Sequence, residues 1–462
     1  MIRRPIGLAL LTALATGLVL AASVAALQDE RAGTQRAAAT FVAKPSFEEP
    51  APNSSTTLPP IEALIPLTAE GVTNRVAPSV AFVLTQQGTG SGVVVRDGLL
   101  VTNAHVVWPD RTVSLVFRNG ATFQGRVLAV DPFADLAVVD ISRLANRPDP
   151  LPQGAIEDLD MGSQLWIVGY PLPDEFTPEP SLDSGAVLGT TEWDFSGVSW
   201  FTVDAPAIGG QSGGAVVDTY GRLVGISTFG SRETMTSIAI DDVMDRVDEL
   251  IRTDEVRGLE PRLIPHSGAR RTLEVELDGT WDQELFVGWL PESLDVEVAA
   301  PNRNVKLAAR TIAGIEVAAG QGEIGFQPGG AFPVILAAEA EQQIAIDLAG
   351  SLPFIRFADP DHGKSLERRG ITAGVYDLGR DRDYFYLELA ADDRVTVTIE
   401  SAARTHLWVY GPDGTLVAED IDESGFSSSN ASVEVSTEIA GRYIVALENR
   451  LSSISGYAVV TR

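Results

Sequence analysis

Between Val72 and Arg257 the chain runs as short β-branched segments separated by Gly, Pro and Asp. Among them are Ser79 to Leu84, Ser91 to Val95, Leu99 to Thr102, Leu136 to Asp140, Ala215 to Val217 and Leu223 to Ser227. Strands this short and this frequent have edges to satisfy and faces to bury, which they do by closing into barrels or stacking as sandwiches. The stretch ends differently. Ile240, Val243, Met244, Val247, Leu250 and Ile251 recur at helical spacing against Asp242, Asp245, Arg246, Asp248 and Glu249, which predicts one amphipathic helix. The expectation is a mainly β protein, and 462 residues exceed what a single core serves, so further domains follow this one.

Two bulk properties exclude whole classes of function. A formal charge of −29 repels a phosphate backbone, so no nucleic-acid partner is expected. The absence of cysteine rules out disulfides, thiol chemistry and thiolate metal sites, leaving packing to supply stability.

The first residues read as an address. Met1 to Arg4 is basic, and Ile6 to Leu27 is uncharged and ends in small residues, the layout of a signal peptide over 1–27. The run is also long enough to be an uncleaved signal anchor in a membrane. Either way the body of the protein is exported, to a periplasmic, membrane-anchored or extracellular place in a bacterium, where a chain without disulfides fits best. Residues 28–71, rich in Ala, Pro, Ser, Thr and Glu, read as a disordered linker.

Three residues carry the chemistry. His105 follows the apolar strand Leu99 to Thr102 through Asn103-Ala104, where a loop can present it to a cleft. Asp135 stands at the mouth of the apolar run Leu136 to Val139, and a carboxylate against a histidine ring nitrogen fixes the tautomer and stabilises the imidazolium. Ser212 lies within Gly209-Gly210-Gln211-Ser212-Gly213-Gly214. A tetrahedral intermediate needs backbone N–H groups converging on its oxyanion, and a tight turn beside the nucleophile favours residues without a Cβ. Each motif alone has a bland alternative, a structural histidine, a strand cap or a Gly-rich hairpin; their order along the chain is what argues for a triad.

Residues 72–257 resemble the trypsin-like peptidase domain, and most closely the HtrA-type serine proteases. The likeness is carried by Gly90-Ser91-Gly92, Thr102-Asn103-Ala104-His105, Asp131-Pro132-Phe133-Ala134-Asp135, Gly209-Gly210-Gln211-Ser212-Gly213-Gly214 and Gly221 to Ser227. It implies a double β-barrel of the chymotrypsin type with His105, Asp135 and Ser212 as catalytic triad in the crevice. It also implies an oxyanion hole from the N–H groups of Gly210 and Ser212. By the same resemblance the specificity pocket is lined by Ala207, Ile208, Gly209, Ser227, Thr228 and Phe229. None of these is charged, so small or aliphatic side chains are the expected preference. Gln211 departs from the pattern. Zymogens of this family carry Asp there to pair with a newly cut N-terminus, and HtrA-type enzymes usually carry Asn, so activation by N-terminal cleavage is not expected.

From Leu259 onward no segment matches the PDZ domain that usually follows an HtrA-type protease. Alternating strands predict a β-rich domain over 263–368 and a β-sandwich over 369–462, one or two small sandwich domains in all. A weak repeat pairs Ile344 to Leu348 and Phe354 to Phe357 with Val395 to Ile399 and Leu407 to Tyr410, each closed by a Pro-Asp turn in the manner of a hairpin. The last part resembles the bacterial pre-peptidase C-terminal domain through Asp381-Arg382-Asp383-Tyr384-Phe385 and Tyr410-Gly411-Pro412-Asp413-Gly414. Asp359, Asp361 and His362 read as an acidic hairpin turn rather than as metal ligands, and Asp381 and Asp383 fare little better as calcium ligands, so no metal and no cofactor is expected.

Protein or peptide substrates are the expected partners; no motif speaks to oligomeric state. The alternative from another class is a catalytically silent scaffold that keeps the barrel and works through its C-terminal sandwiches. A third is an esterase or acyl transferase using the same three residues.

Overall fold

Twelve short strands close into two barrels in the computed structural model. It describes residues 65–462 except 87, 173–177, 193–195, 254–262, 265–271, 330, 332, 342–343, 351–353, 402, 423–429 and 451–453. The predicted leader, 1–27, and nearly all of the predicted linker lie outside the described residues. The first barrel comprises β1 (Val80–Leu84), β2 (Thr89–Arg96), β3 (Leu99–Thr102), β4 (Thr112–Phe117), β5 (Thr122–Asp131) and β6 (Leu136–Asp140), in the order β1-β2-β3-β6-β5-β4. The second comprises β7 (Gln164–Gly169), β8 (Ser181–Glu192), β9 (Ser199–Val203), β10 (Ala215–Asp218), β11 (Leu223–Gly230) and β12 (Met235–Ala239), in the order β10-β11-β12-β9-β8-β7. Closure removes the edges that would otherwise template association.

Three helices brace the barrels. Thr68 caps α1 (Ala69–Val76) by accepting the Gly71 N–H at 3.2 Å, and Val72 and Val76 turn into the core. This helix starts inside the stretch expected to be linker, because its apolar pair finds a barrel to pack on. The four-residue α2 (Ala104–Val107) carries His105. The predicted amphipathic helix is α3 (Ile240–Thr253), with Val243, Met244, Val247 and Leu250 buried. It leaves the second barrel and returns to the first through ion pairs of Asp248 with Arg96 and of Arg246 with Asp131.

The C-terminal half is built of stacked sheets. A six-stranded sheet, containing Gln283–Gly288 and Val334–Glu339, shares a core with a four-stranded one containing Thr272–Leu277 and Ile344–Gly350. A five-stranded sheet, containing Arg382–Leu389 and Gly441–Asn449, shares another with a four-stranded one of Gly370–Tyr376, Ser455–Thr461, Arg394–Ser401 and Ala431–Ser436. The weak repeat is real at the level of strands but not of hairpins. Ile344–Gly350 and Ile355–Phe357 fall in different sheets, as do Arg394–Ser401 and Thr405–Tyr410, so each pair crosses its sandwich instead of folding back on itself. Two amphipathic strands joined by a turn bury more by facing each other across a core than by lying side by side. No helix among the described residues is long and apolar enough to cross a membrane.

Candidate active site

His105 and Asp135 are brought together by the first barrel. The fully buried strand β3 ends at Thr102 and turns through Asn103 into α2, which lifts His105 to the seam between barrels. Asp135 precedes β6 with φ of +48°, a left-handed conformation that costs a non-glycine residue about 1–3 kcal/mol unless its surroundings hold it. They do. Asp131 Oδ1 accepts the N–H groups of Phe133 and Ala134 at 2.8 and 3.2 Å, and Arg246 holds the other oxygen of Asp131. Asp135 then accepts the His105 backbone N–H through Oδ1 at 3.0 Å and faces His105 Nδ1 through Oδ2 at 2.7 Å. Burial pulls the imidazole pKa down, but the charge and hydrogen bond of Asp135 outweigh it, and the net displacement from 6.5 is upward.

The Ser212 turn belongs to the second barrel and is stitched to the first. Gly210 and Gly213 have φ of +92° and +85°, and a Cβ on Gly213 would stand 2.1 Å from the Ser91 carbonyl oxygen. That approach is a bond line. Ser91 N–H donates to the Ser212 carbonyl at 2.7 Å, Ser91 Oγ donates to the Gly210 carbonyl at 2.8 Å, and Tyr170 N–H donates to Ser91 Oγ at 2.8 Å. Ser227 Oγ donates to the Gln211 carbonyl at 2.6 Å from the other side. Ser212 Oγ donates to the Thr228 carbonyl at 2.9 Å. Among the described residues the N–H groups of Gly210 and Ser212 donate to no backbone carbonyl, so both are uncommitted.

Two residues gain a role that their motifs did not disclose. Asn103 Nδ2 donates to the Asp135 carbonyl at 2.9 Å and to Thr228 Oγ1 at 3.3 Å, joining the histidine strand, the acid loop and the second barrel. Asp183, on β8, accepts from Gln211 Nε2 at 2.6 Å, and Ser181 Oγ accepts the same amide at 2.7 Å. The signal for this pair was faint: residues 181 and 183 share one face of a strand, but nothing local says which turn that face meets.

The expected pocket residues divide. Ser227 and Thr228 are buried with their hydroxyls engaged, Thr228 with the Ile226 carbonyl, and Phe229 packs on Trp200 with ring centroids 5.5 Å apart. Ala207 is half-buried, Ile208 is 38% exposed, and Gly209 lies against Leu172. Asp183 adds a carboxylate beside Gln211 that the uncharged stretches did not foretell.

Residues 90–226 match the family model of the trypsin-like peptidase domain. The double barrel is a chymotrypsin-fold peptidase domain of the HtrA type. The peptidase domain is similar to "Protease Do-like 1, chloroplastic" of Arabidopsis thaliana, 30% identical over 40% of this chain and 45% of that protein. It is likewise similar to "Serine protease HTRA2, mitochondrial" of Bos taurus, 32% identical over 37% of each chain. Among solved structures, "HtrA-type protease AlgW with tripeptide" is 26% identical, covering 41% of this chain and 65% of that one with a TM-score of 0.38. The chain thus spans less than half the length of these curated relatives.

Outside that domain, the acidic C-terminal residues are more than turns. Asp359, His362 and Asp383 offer ligand-type atoms within 4.8 Å of one another, as do Asp359, Asp377 and Asp381. Asp361 is engaged by Lys364 Nζ at 2.6 Å and by the Val375 N–H at 2.9 Å, and His362 Nε2 lies 2.6 Å from the Arg382 carbonyl. Burial, then the neighbouring Asp359 and Asp381 charges, push the Asp383 carboxyl well above the usual carboxylate range. The Asp359–His362 segment is a turn, closed by the Asp361 N–H donating to Asp359 Oδ1 at 2.7 Å, and its acids meet those of a separate segment, Asp377 to Asp383. A neighbouring cavity of about 970 Å³, lined by Glu274, Asp278, Glu284, Asp347 and Arg356 among others, also belongs wholly to the C-terminal half.

Proposed function

We propose that the chain is an exported serine endopeptidase that hydrolyses peptide bonds of proteins. The observation that carries this reading is the His105–Asp135 contact of 2.7 Å beside a turn whose Gly210 and Ser212 N–H groups donate to no backbone carbonyl among the described residues. Ser212 Oγ turns from the Thr228 carbonyl toward His105 Nε2 and attacks the scissile carbonyl carbon, while His105 takes the hydroxyl proton. Asp135 holds the imidazolium that forms, and the two N–H groups receive the oxyanion. Collapse breaks the C–N bond as His105 returns the proton to the leaving amine; water, activated by the same histidine, then releases the acyl group.

Ala207, Ile208 and Gly209 with the β11 backbone form the acyl-side pocket, which suits small or aliphatic side chains. The signal-like first 27 residues support export, and domain limits at 72–257, 263–368 and 369–462 follow the sequence pattern. The test is hydrolysis of casein beside simple ester substrates by the full chain and by His105→Ala and Ser212→Ala. Casein cleavage lost in both variants, by about a million-fold where a triad acts as a unit, supports the reading. Ester turnover without proteolysis favours the acyl-transfer alternative, and no turnover by folded protein favours the silent scaffold.

A further inference from the structure

The two loops that carry His105 and Asp135 are both held from outside the barrel by one end of one pair of strands. Trp108 follows His105 by three residues, caps α2 by donating its backbone N–H to the Ala104 carbonyl, and is 3% exposed. A buried indole needs a partner for its N–H, and Trp108 Nε1 finds the Asp377 carbonyl at 3.1 Å. A helix of four residues has almost no stability of its own, so its orientation is set by such contacts.

On the acid side, Gly456 N–H donates to the Pro132 carbonyl at 2.8 Å. Its backbone also lies so close to Phe133 that a Cβ would come within 2.5 Å of the ring and 2.7 Å of the Phe133 Cα. Phe133 stands two residues before Asp135, whose positive φ has to be imposed by its neighbours.

These anchors are not independent. Asp377 directly follows the strand Gly370–Tyr376, and Gly456 lies on the strand Ser455–Thr461; the two strands pair, with Val375 opposite Gly456 and Tyr376 opposite Ser455. Asp377 is fixed in turn, its N–H donating to Asp381 Oδ2 at 2.8 Å. Val375, Leu378 and Ile454 from the same end join Val107, Trp108 and Val130 of the first barrel in one apolar core.

We propose that this strand end of the last sandwich sets the geometry of the His105–Asp135 pair, with Trp108 and Gly456 as positioning residues, so that peptidase activity depends on the docking of the C-terminal half. The inference takes the peptidase reading above as its premise. A sandwich that shifts on its barrel releases both loops at once, and the 2.7 Å contact between the imidazole and the carboxylate then lengthens.

The experiment is the rate of fluorophosphonate labelling of the full-length chain against pH, for wild type, Trp108→Phe and Gly456→Ala, with peptide kinetics and thermal melts alongside. Both variants are expected to fold and to label about 10-fold or more slowly, with kcat reduced and KM little changed. The acid limb of their profiles is expected at lower pH than in wild type, because His105 loses part of the carboxylate that raises its pKa. Variants that melt lower yet label at the wild-type rate with an unmoved pH midpoint would reduce the contact to packing and overturn the proposal. Should Gly456→Ala not fold, Phe133→Leu with Trp108→Phe carries the same test. A folded wild-type chain that does not label at all contradicts the peptidase premise instead, which separates the two failures.

Discussion

Gln211 Nε2 donates to Asp183 Oδ2 at 2.6 Å, so the residue just before Ser212 is held by a carboxylate from the opposite strand of the second barrel. In a zymogen-type enzyme that position is an acid awaiting a cation. Here the polarity is reversed, with an amide on the turn and the acid on β8.

Removing that acid is therefore expected to loosen the turn and not the protein as a whole. Asp183→Ala leaves a buried amide donor with Ser181 as its remaining acceptor. We expect kcat to fall by about 10- to 100-fold, less than the roughly 100- to 1,000-fold cost of a lost oxyanion donor, with a smaller change in KM. Steady-state kinetics on a peptide substrate checks this; an unchanged kcat contradicts it.

The pH dependence follows from His105. Proton abstraction needs the neutral imidazole, and Asp135 holds its pKa above 6.5, so kcat/KM rises with pH through a midpoint above that value. In Asp135→Asn the carboxylate charge is gone and burial acts unopposed, so the midpoint falls while kcat drops by about 10⁴-fold. A pH–rate profile of both proteins measures the two effects separately.

Ser91 tests how the barrels hold each other. Ser91→Ala deletes the bond to the Gly210 carbonyl and leaves the buried Tyr170 N–H without its acceptor. A loss of about 1–3 kcal/mol is expected for an orphaned buried donor, read by denaturant unfolding, together with slower labelling of Ser212.

Much of this was legible in the sequence, and the reason differs from element to element. The barrels and the His105, Asp135 and Ser212 positions were visible because short strands with tight turns leave periodic signals, and because a nucleophile turn needs glycines at fixed offsets. Asn103 and Ser91 lay in plain view within those motifs, but their roles are bonds made across the barrel seam. The contact of Trp108 with Asp377 spans 269 residues, and no local pattern encodes which surface of a sandwich meets which loop. The hairpin reading of the repeat failed for a related reason: strand pattern gives the face a residue occupies, not the sheet its strand joins.

The C-terminal acids make a prediction of their own. Burial raises the Asp282 carboxyl to about 6 from an ordinary 3.8. A folded-state pKa above the unfolded one contributes stability below pH 3.8 that is lost as pH rises through about 6. Asp282→Asn, which keeps an oxygen for the Asp278 N–H, should raise stability at pH 8, by on the order of 2–3 kcal/mol at most, and bring no gain at pH 3.5. Thermal melts at the two pH values decide it.

The central claim, that Ser212 is the nucleophile of a working peptidase, is tested most directly by fluorophosphonate labelling followed by intact-mass analysis and peptide mapping. The account predicts one equivalent of probe per folded chain, attached at Ser212 and absent from Ser212→Ala. Folded wild-type protein that takes up no probe, or a Ser212→Ala variant that labels as fast as wild type, would contradict it.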